Sequence, residues 1–527
     1  MKILGLHKDP WHNTGACAIK GSDERFDIAF VSEERLDRVK DSRAFPLGAI
    51  KACMDQLDIA SISDFDMIVM DYINESSDWR IDQFKQPCST ENILRTVEQD
   101  KIHIVDHHLC HAYAAFTTSP FEEAAILVID GRGSDRKTQS LYSGQGSQVE
   151  LIEDTAEIGI GLLYAAMTQH IGFGLLQEGK TMGLAPLGRD LTPASYEFNG
   201  RFSGIETDYS SFCEDGRYEI VGEYEKPDTF DAKARAAYET QFECEQAMLH
   251  LARYAKEVTG SKYLCITGGV ALNSVANNAI LKSGIFEDIF INPAASDTGI
   301  PLGAALYGYY GLNKNKRHPA EISPYLGPSY SKIRVSEAID SFSGYEVIKD
   351  DALGHAVRLL ADNQIVARFE GRSEMGPRAL GHRSILMSPL RQENKDQLNA
   401  RVKFREEFRP FAPLVLEEYA SEYFDLDRPS KYMLLVPDVL HEKRGVIPAV
   451  THVDGTARVQ TVTKEFNGDL YDLLLCFFDE TNVPVILNTS YNVANEPIVE
   501  TPEDAIKCFL GTNIDALYIE DYILIKN

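Results

Sequence analysis

His107 and His111 stand four residues apart in the run Asp106-His107-His108-Leu109-Cys110-His111. The run follows the strand-like His103-Ile104-Val105 and leads into Ala112-Tyr113-Ala114-Ala115-Phe116, a good helix former. On a helix the two imidazoles project from one face, one turn apart. So placed they can chelate one transition metal, with Asp106 or a distant carboxylate completing the shell. A polar helix start with two surface histidines has the same spacing, so the pair alone does not decide between them. A second chemical group lies late in the chain, in Glu370-Gly371-Arg372-Ser373-Glu374-Met375-Gly376-Pro377-Arg378-Ala379-Leu380-Gly381-His382-Arg383-Ser384 and in Lys403-Phe404-Arg405-Glu406-Glu407-Phe408-Arg409-Pro410-Phe411-Ala412-Pro413. Guanidinium forks match phosphate oxygens and never lose their charge, so this density of arginine among glycine and proline suits several phosphates. Surface ion pairs with the neighbouring glutamates are the alternative.

Smaller pieces lie between these groups. Ala124 to Ile129 reads as a buried strand ending in Asp130-Gly131, where a carboxylate can meet a metal, although Asp-Gly is also a common turn. Gln177 to Pro186 reads as a small-residue loop with Lys180 as its single cation, able to approach a phosphate closely. Lys262 to Thr267 is a strand that runs into Gly268-Gly269-Val270-Ala271-Leu272-Asn273 and then a helix, a place where backbone amides can cradle an anion or nucleotide. Ser296-Asp297-Thr298-Gly299 is another acidic turn, and Val485 to Asn488 is a strand entering the amide- and hydroxyl-rich turn Thr489-Ser490-Tyr491-Asn492.

The elements that must position these residues form a pattern. Strands are expected at Met1–His7, Gly15–Ile19 and Phe26–Val31, with a polar turn through Asp9-Pro10-Trp11-His12-Asn13 and a helix from Pro46. Strand–turn–strand–strand recurs at Ala124–Ile129, Thr138–Tyr142 and Val149–Ile152, which suggests an internal duplication. The Pro- and charge-rich Asn313–Ser331 reads as a linker. Beyond it, Ala352–Ala361 reads as a helix and Gln364–Phe369 as a strand.

At 527 residues the chain exceeds one ordinary core, so two or three domains are expected. A formal net charge of −28 repels phosphate backbones, which argues against a nucleic-acid partner and makes a local arginine cluster more informative. No apolar run approaches the ~20 residues of a membrane span and no signal peptide is visible, so no membrane partner is expected. The nine cysteines are scattered without a Cys-x-x-Cys, unlike a zinc ribbon or a disulfide framework, and fit a reducing cytoplasm.

The ordered set His12, His107-x-x-x-His111, Val128-Ile129-Asp130-Gly131, Glu178-Gly179-Lys180-x-Met182-Gly183, Gly268-Gly269-Val270-Ala271-x-Asn273 and Asp297-x-Gly299 resembles the O-carbamoyltransferases of nodulation-factor and antibiotic biosynthesis. Their N-terminal domain is similar to the tRNA threonylcarbamoyl-transfer ATPases, a duplicated actin/RNase-H-like fold. The two arginine-rich blocks resemble the YrdC-like C-terminal domain of the same enzymes, so the resemblance covers nearly the whole chain. It implies an α/β protein with an actin-like metal- and nucleotide-binding domain over residues 1–315 and a YrdC-like domain over 332–527.

What the resemblance implies about residues is specific. An iron(II)-type metal would be held by His107, His111, Asp130 and Asp297, a donor set that also accepts manganese or zinc. Nucleotide contacts would come from Lys180, Gly268, Gly269, Asn273, Arg405, Arg409 and Asn488. Carbamoyl phosphate would sit on Arg378, Arg383, Ser384 and Ser490, and His12, Arg378 and Lys403 would be catalytic, His12 as the base on an acceptor hydroxyl. The family's opening motif usually reads His-Asp, whereas here His12 is followed by Asn13.

The expected chemistry makes carbamoyl adenylate from carbamoyl phosphate and ATP with Mg²⁺, then transfers the carbamoyl group to a small-molecule hydroxyl. A channel between the domains would shield the anhydride, and Arg201 to Glu225 would help choose the acceptor. A homodimer is expected from family likeness alone. Competing readings are a threonylcarbamoyl-type tRNA-modifying enzyme, a non-catalytic nucleotide- and metal-binding regulator and an actin-fold sugar kinase. Hydrogenase-maturation carbamoyltransferases carry Cys-x-x-Cys zinc fingers, which this chain lacks.

Overall fold

Runs such as Ile126-Leu127-Val128-Ile129 are buried without alternation, as in strands covered on both faces, and they form the centres of the sheets. The computed structural model describes residues 1–8, 12–22, 25–72, 97–133, 136–191, 200–213, 219–221 and 225–527. The expected turn at Asp9-Pro10-Trp11, Cys88 and parts of the Arg201–Glu225 loop lie outside these residues.

Two units emerge, Met1–Glu33 with Asp41–Ile322, and Ser323–Asn527 with the short segment Glu34–Lys40. The first holds β1 (Lys2–His7), β2 (Gly15–Gly21), β3 (Phe26–Ser32), β4 (Met67–Tyr72) and β5 (Ile102–Asp106) in one five-stranded sheet of order β3-β2-β1-β4-β5. A second five-stranded sheet contains β6 (Glu123–Ile129), β7 (Gln139–Gln145), β8 (Gln148–Thr155), β11 (Tyr263–Thr267) and β12 (Asp288–Ile291), in the order β12-β11-β6-β7-β8. β9 (Arg201–Ser203) and β10 (Glu206–Asp208) make a separate two-stranded ribbon. Counted in chain order within each sheet, both five-stranded sheets read third-second-first-fourth-fifth. In both, the first three strands are antiparallel and the last two join parallel. The duplication expected from the sequence is therefore present as repeated topology.

The second unit is built on an eight-stranded mixed sheet. Its strands are β13 (Tyr345–Ile348), β14 (Val366–Phe369), β15 (Arg383–Met387), β16 (Ala412–Leu416), β17 (Gln460–Val462), β18 (Val485–Ser490), β19 (Ala516–Ile519) and β20 (Tyr522–Lys526), in the order β13-β20-β19-β14-β15-β18-β16-β17. The segment Asn313–Ser331 is not a free tether. Arg317 is buried in the first unit, donates to the carbonyls of Thr117 and Phe121 at 3.2 and 2.7 Å, and lies over the Phe116 ring.

One expected loop is a helix. Glu178–Leu184 is helical, with Thr181, Gly183 and Leu184 buried and the Thr181 hydroxyl 2.9 Å from that of Thr168 on the helix Ile160–Ile171. Burial of this face outweighs the helix cost of two glycines, roughly 1 kcal/mol each.

Close backbone approach fixes the helices nearest the site. A Cβ on Gly303, in the buried helix Ile300–Leu306, would come within 1.9 Å of the Cys110 carbonyl oxygen in the helix His107–Thr117. Asp297 lies three residues before the first of these helices, and His107 and His111 lie on the second. Gly303→Ala is expected to cost about 1–3 kcal/mol or more and to loosen Asp297 from the histidines. Urea unfolding with and without divalent metal measures both effects.

Candidate functional site

Parallel pairing brings the carboxyl ends of β1, β4 and β5 side by side, and those of β6 and β11 likewise, the place where open α/β sheets bind ligands. Asp106 ends β5 and is the N-cap of the helix His107–Thr117, accepting from the Leu109 N–H at 3.0 Å. Its other oxygen takes Lys137 at 2.8 Å, so Asp106 is occupied and the distant carboxylates complete the cluster. His107 Nε2 is 3.6 Å from Asp130 Oδ2 and 3.5 Å from Asp297 Oδ1, while His111 Nε2 is 3.9 and 3.4 Å from the same atoms. One ligand atom from each of the four lies within 4.8 Å of the others, and all four residues are buried.

Three of these atoms, the Nε2 of His107 and of His111 and Asp130 Oδ2, have no hydrogen-bond partner. Buried polar atoms are normally paired. Converging orphans on two imidazoles and a carboxylate, with a second carboxylate at hand, fit one divalent cation. Burial opposes charge on His107, but Asp297, Asp130 and Asp71 outweigh it and hold its pKa above the ordinary value. Burial opposes charge on Asp297 too, yet His107, His111 and His12 keep it well below the usual carboxylate range. The field here favours a cation. His12 is partly exposed, with Nδ1 3.9 Å from Asp297 Oδ2, so it borders the centre from the solvent side.

Three of the four side chains are held from behind. The Gly269 N–H donates to Asp130 Oδ1 at 3.0 Å. Gly268 sits at φ +91, where a Cβ would meet the Ile129 carbonyl oxygen at 2.3 Å, so the turn requires glycine. His111 Nδ1 lies 3.4 Å from the Thr267 hydroxyl, which donates to the Ala295 carbonyl. His107 Nδ1 meets Asp71 Oδ2 at 3.0 Å.

Of the residues expected to contact nucleotide, Gly268 and Gly269 thus adjoin the cluster through Asp130. Asn273 caps the helix Ser274–Lys282, accepting from the Ala276 N–H at 3.1 Å, and exchanges amide hydrogen bonds with Gln241 at 2.9 and 3.1 Å. Lys180 lies on the helix Glu178–Leu184, with Nζ 5.7 Å from the Phe173 ring centre. The Ser274 hydroxyl approaches the Met182 sulfur at 3.9 Å and so links the two helices.

In the second unit Arg378, Arg405 and Arg409 lie close enough to repel one another. Burial pulls Arg405 down to about 9 and Arg378 to about 10, and the Arg409 charge deepens both shifts. Arg458 joins them: burial, then Arg378, Arg405 and Arg409, depress it well below the ordinary arginine value. The Nε atoms of Arg378, Arg405 and Arg458 lack hydrogen-bond partners. Lys403 is buried and donates to the Ser490 carbonyl and to the carbonyl and side-chain oxygens of Asn492, each at 2.9 Å. Asn488 donates to the Ala379 carbonyl at 3.0 Å, while its Oδ1 is buried and unpartnered.

Arg383 and Ser384 stand apart from this set. Arg383 is fully buried over the Phe369 ring and donates to the carbonyls of Glu370 and Gly371 at 2.7 and 3.1 Å. The Ser384 hydroxyl accepts the Gly381 N–H at 3.0 Å. Both shape the arginine-rich turn from within, where strand β15 buries every residue.

Residues 77–306 match the family described as Carbamoyltransferase N-terminus, and residues 357–526 match Carbamoyltransferase C-terminus. Nodulation protein NolNO of Sinorhizobium fredii is 37% identical over 541 residues, 95% of this chain and 77% of that protein. Nodulation protein NolO of Bradyrhizobium diazoefficiens is 36% identical over 80% of this chain and 79% of that protein. The chain belongs to the carbamoyltransferase family. An uncharacterized Synechocystis protein is 34% identical over 99% of this chain and 96% of that protein. Among the described residues, no helix of this carbamoyltransferase is long and apolar enough to cross a membrane.

Three residues of the carbamoyltransferase were not picked out from sequence. Asp71 ends the apolar run Met67-Ile68-Val69-Met70 as Asp130 ends its own, and that shared signal could have found it. His7 closes β1 with no such mark. Arg458 is a lone arginine in Thr456-Ala457-Arg458-Val459, outside both arginine-rich blocks.

Proposed function

We propose that this carbamoyltransferase activates carbamoyl phosphate with ATP in its second unit and transfers the carbamoyl group, from carbamoyl adenylate, to a hydroxyl of a small molecule at the histidine–aspartate centre of its first. The second unit would then act as a YrdC-like domain. The observation that carries the reading is the group of four arginines, which has unpartnered Nε atoms and depressed pKa values. Glu406, 3.8 Å from Arg409, offsets part of this charge; buried cations in excess of their carboxylate partners cost stability unless an anion joins them, and guanidinium forks suit phosphate.

In the first step carbamoyl phosphate and ATP give carbamoyl adenylate. The atoms balance when one phosphate and one pyrophosphate leave and water supplies the missing oxygen. Arg378, Arg405, Arg409 and Arg458 would neutralise the phosphoryl oxygens as charge shifts among them. Lys403 holds the turn Ser490–Asn492 in place. The orphaned Asn488 Oδ1 would accept an N–H of the carbamoyl amide. In the second step the acceptor hydroxyl attacks the carbamoyl carbon, AMP leaves, and His12, whose Nδ1 lies 3.9 Å from Asp297 Oδ2, takes the hydroxyl proton. A divalent ion bound by His107, His111, Asp130 and Asp297 would supply Lewis-acid polarisation of the carbonyl. The acceptor would be a natural product, a sugar or a nucleoside.

The test needs no acceptor. Purified protein is incubated with ATP, Mg²⁺ and carbamoyl phosphate, and pyrophosphate and carbamoyl adenylate are sought by mass. Both should form. ATP left intact, with and without candidate hydroxyl acceptors, would overturn the reading. A narrower expectation concerns Asn488→Leu, which removes one hydrogen bond to the carbamoyl group. It should raise KM for carbamoyl phosphate about tenfold and leave KM for ATP unchanged, as steady-state kinetics would measure.

A further inference from the structure

Behind the metal-type cluster lies a second, fully buried array. Asp71 closes β4, between β1 and β5, and the pairing of Leu6 with Met70 and of Tyr72 with Asp106 places it between the ends of both neighbours. Its Oδ1 is 3.0 Å from His7 Nδ1 and its Oδ2 is 3.0 Å from His107 Nδ1. None of the three residues is more than 1% exposed. We infer that Asp71 is a positioning residue for metal binding, one carboxylate that fixes two histidines in the Nδ1–H tautomer and so turns the Nε2 lone pair of His107 toward Asp130 and Asp297.

The argument is one of hydrogen-bond bookkeeping. A carboxylate only accepts, so both rings must donate from Nδ1, and in a neutral imidazole that leaves Nε2 as an acceptor. On His107 that nitrogen is the one facing Asp130 Oδ2 and Asp297 Oδ1 without a hydrogen-bond partner. Ligating histidines usually give their second N–H to a carboxylate or carbonyl, which orients the ring and raises its basicity. His7, on the other oxygen, keeps Asp71 from rotating away. This inference rests on the reading of the centre as a metal site.

Asp71→Asn is nearly isosteric, but an amide presents one acceptor and one donor. It can satisfy only one of the two rings in the present tautomer, and the other must invert or lose its bond. Metal-free full-length Asp71→Asn titrated with Co²⁺ against a competing chelator should show affinity weakened about 10–100-fold. His7→Asn, which leaves the His107 contact in place, should lose less affinity than Asp71→Asn. Equal Co²⁺ affinity in Asp71→Asn and the parent would overturn the role of Asp71 alone, whereas a parent chain that binds no Co²⁺ would overturn the metal reading itself. Should Asp71→Asn not fold, ¹⁵N spectra of histidine-labelled parent protein, recorded at a pH high enough to keep His107 neutral, decide: His107 as the Nδ1–H tautomer upholds the inference, and Nε2–H overturns it.

Discussion

His111→Ala should abolish stoichiometric divalent-metal binding and, with it, transfer of the carbamoyl group, while leaving pyrophosphate release from ATP and carbamoyl phosphate near the parent rate. The substitution removes a ligand rather than a supporting group, so the loss of affinity should exceed the roughly 100-fold upper end of outer-shell changes. His107 alone cannot compensate. Its Nε2 would face Asp130 and Asp297 as a single nitrogen donor, and two carboxylates with one imidazole make a more exchangeable set. Equilibrium dialysis with Co²⁺ or Mn²⁺ and separate assays of the two half-reactions check this. Loss of both half-reactions together would mean that the first unit also serves activation.

The reverse separation is expected of Arg378→Ala. Formation of pyrophosphate should fall by about 10²–10³-fold, the size of effect seen when one preorganised donor to a developing charge is removed, and metal binding should stay intact. Stability should move the other way. Burial and Arg409 hold Arg378 down to about 10, below its ordinary value, so at neutral pH its charge is less favourable in the fold than in the unfolded chain. That cost is present below the depressed pKa and fades as pH rises through it. Removing the group relieves it, so the ligand-free variant should melt at or above the parent temperature at pH 7. A part of the second unit's stability is given up so that an anion can be bound. A lower melting temperature with normal pyrophosphate formation would assign Arg378 to the fold instead.

How far the sequence carried this reading differs from residue to residue. Several strands of the first unit are legible because their apolar runs are bounded by glycine and polar turns, and the duplication because the same strand rhythm returns, but β4 (Met67–Tyr72) is not among those expected. His107 and His111 were legible as a pair from their spacing, but their carboxylate partners lie 19 and 186 residues beyond His111 at Asp130 and Asp297, and nothing local joins them. Only the ordered motif set did so. Asp71 and Arg458 were missed for different reasons. Asp71 acquires meaning through the neighbours that β1 and β5 supply, a non-local pairing no window along the chain contains. Arg458 joins the cluster singly, without the glycine and proline that marked the other arginines. Arg383 differs from Arg378 although they share a block: it falls on strand β15, where its side chain is buried and its two terminal nitrogens donate to the carbonyls of Glu370 and Gly371. The Glu178–Leu184 segment reads as a loop because glycine propensity is local, whereas the burial that makes it helical is not.

The membership of Glu34–Lys40 in the second unit bears on how the protein is made. Arg38 donates to the carbonyls of Pro497 and Ile498 at 2.8 and 2.6 Å, the latter across 460 residues of sequence. With synthesis at about 5–20 residues per second, Arg38 emerges from the ribosome roughly 20–90 s before those acceptors exist. Strands β1 to β3 can pair at once, but the segment that follows them has to wait, spliced out of the unit forming around it. A later part of the chain therefore closes on an earlier one, and a fragment that ends before Pro497 leaves Arg38 without the carbonyls that hold it.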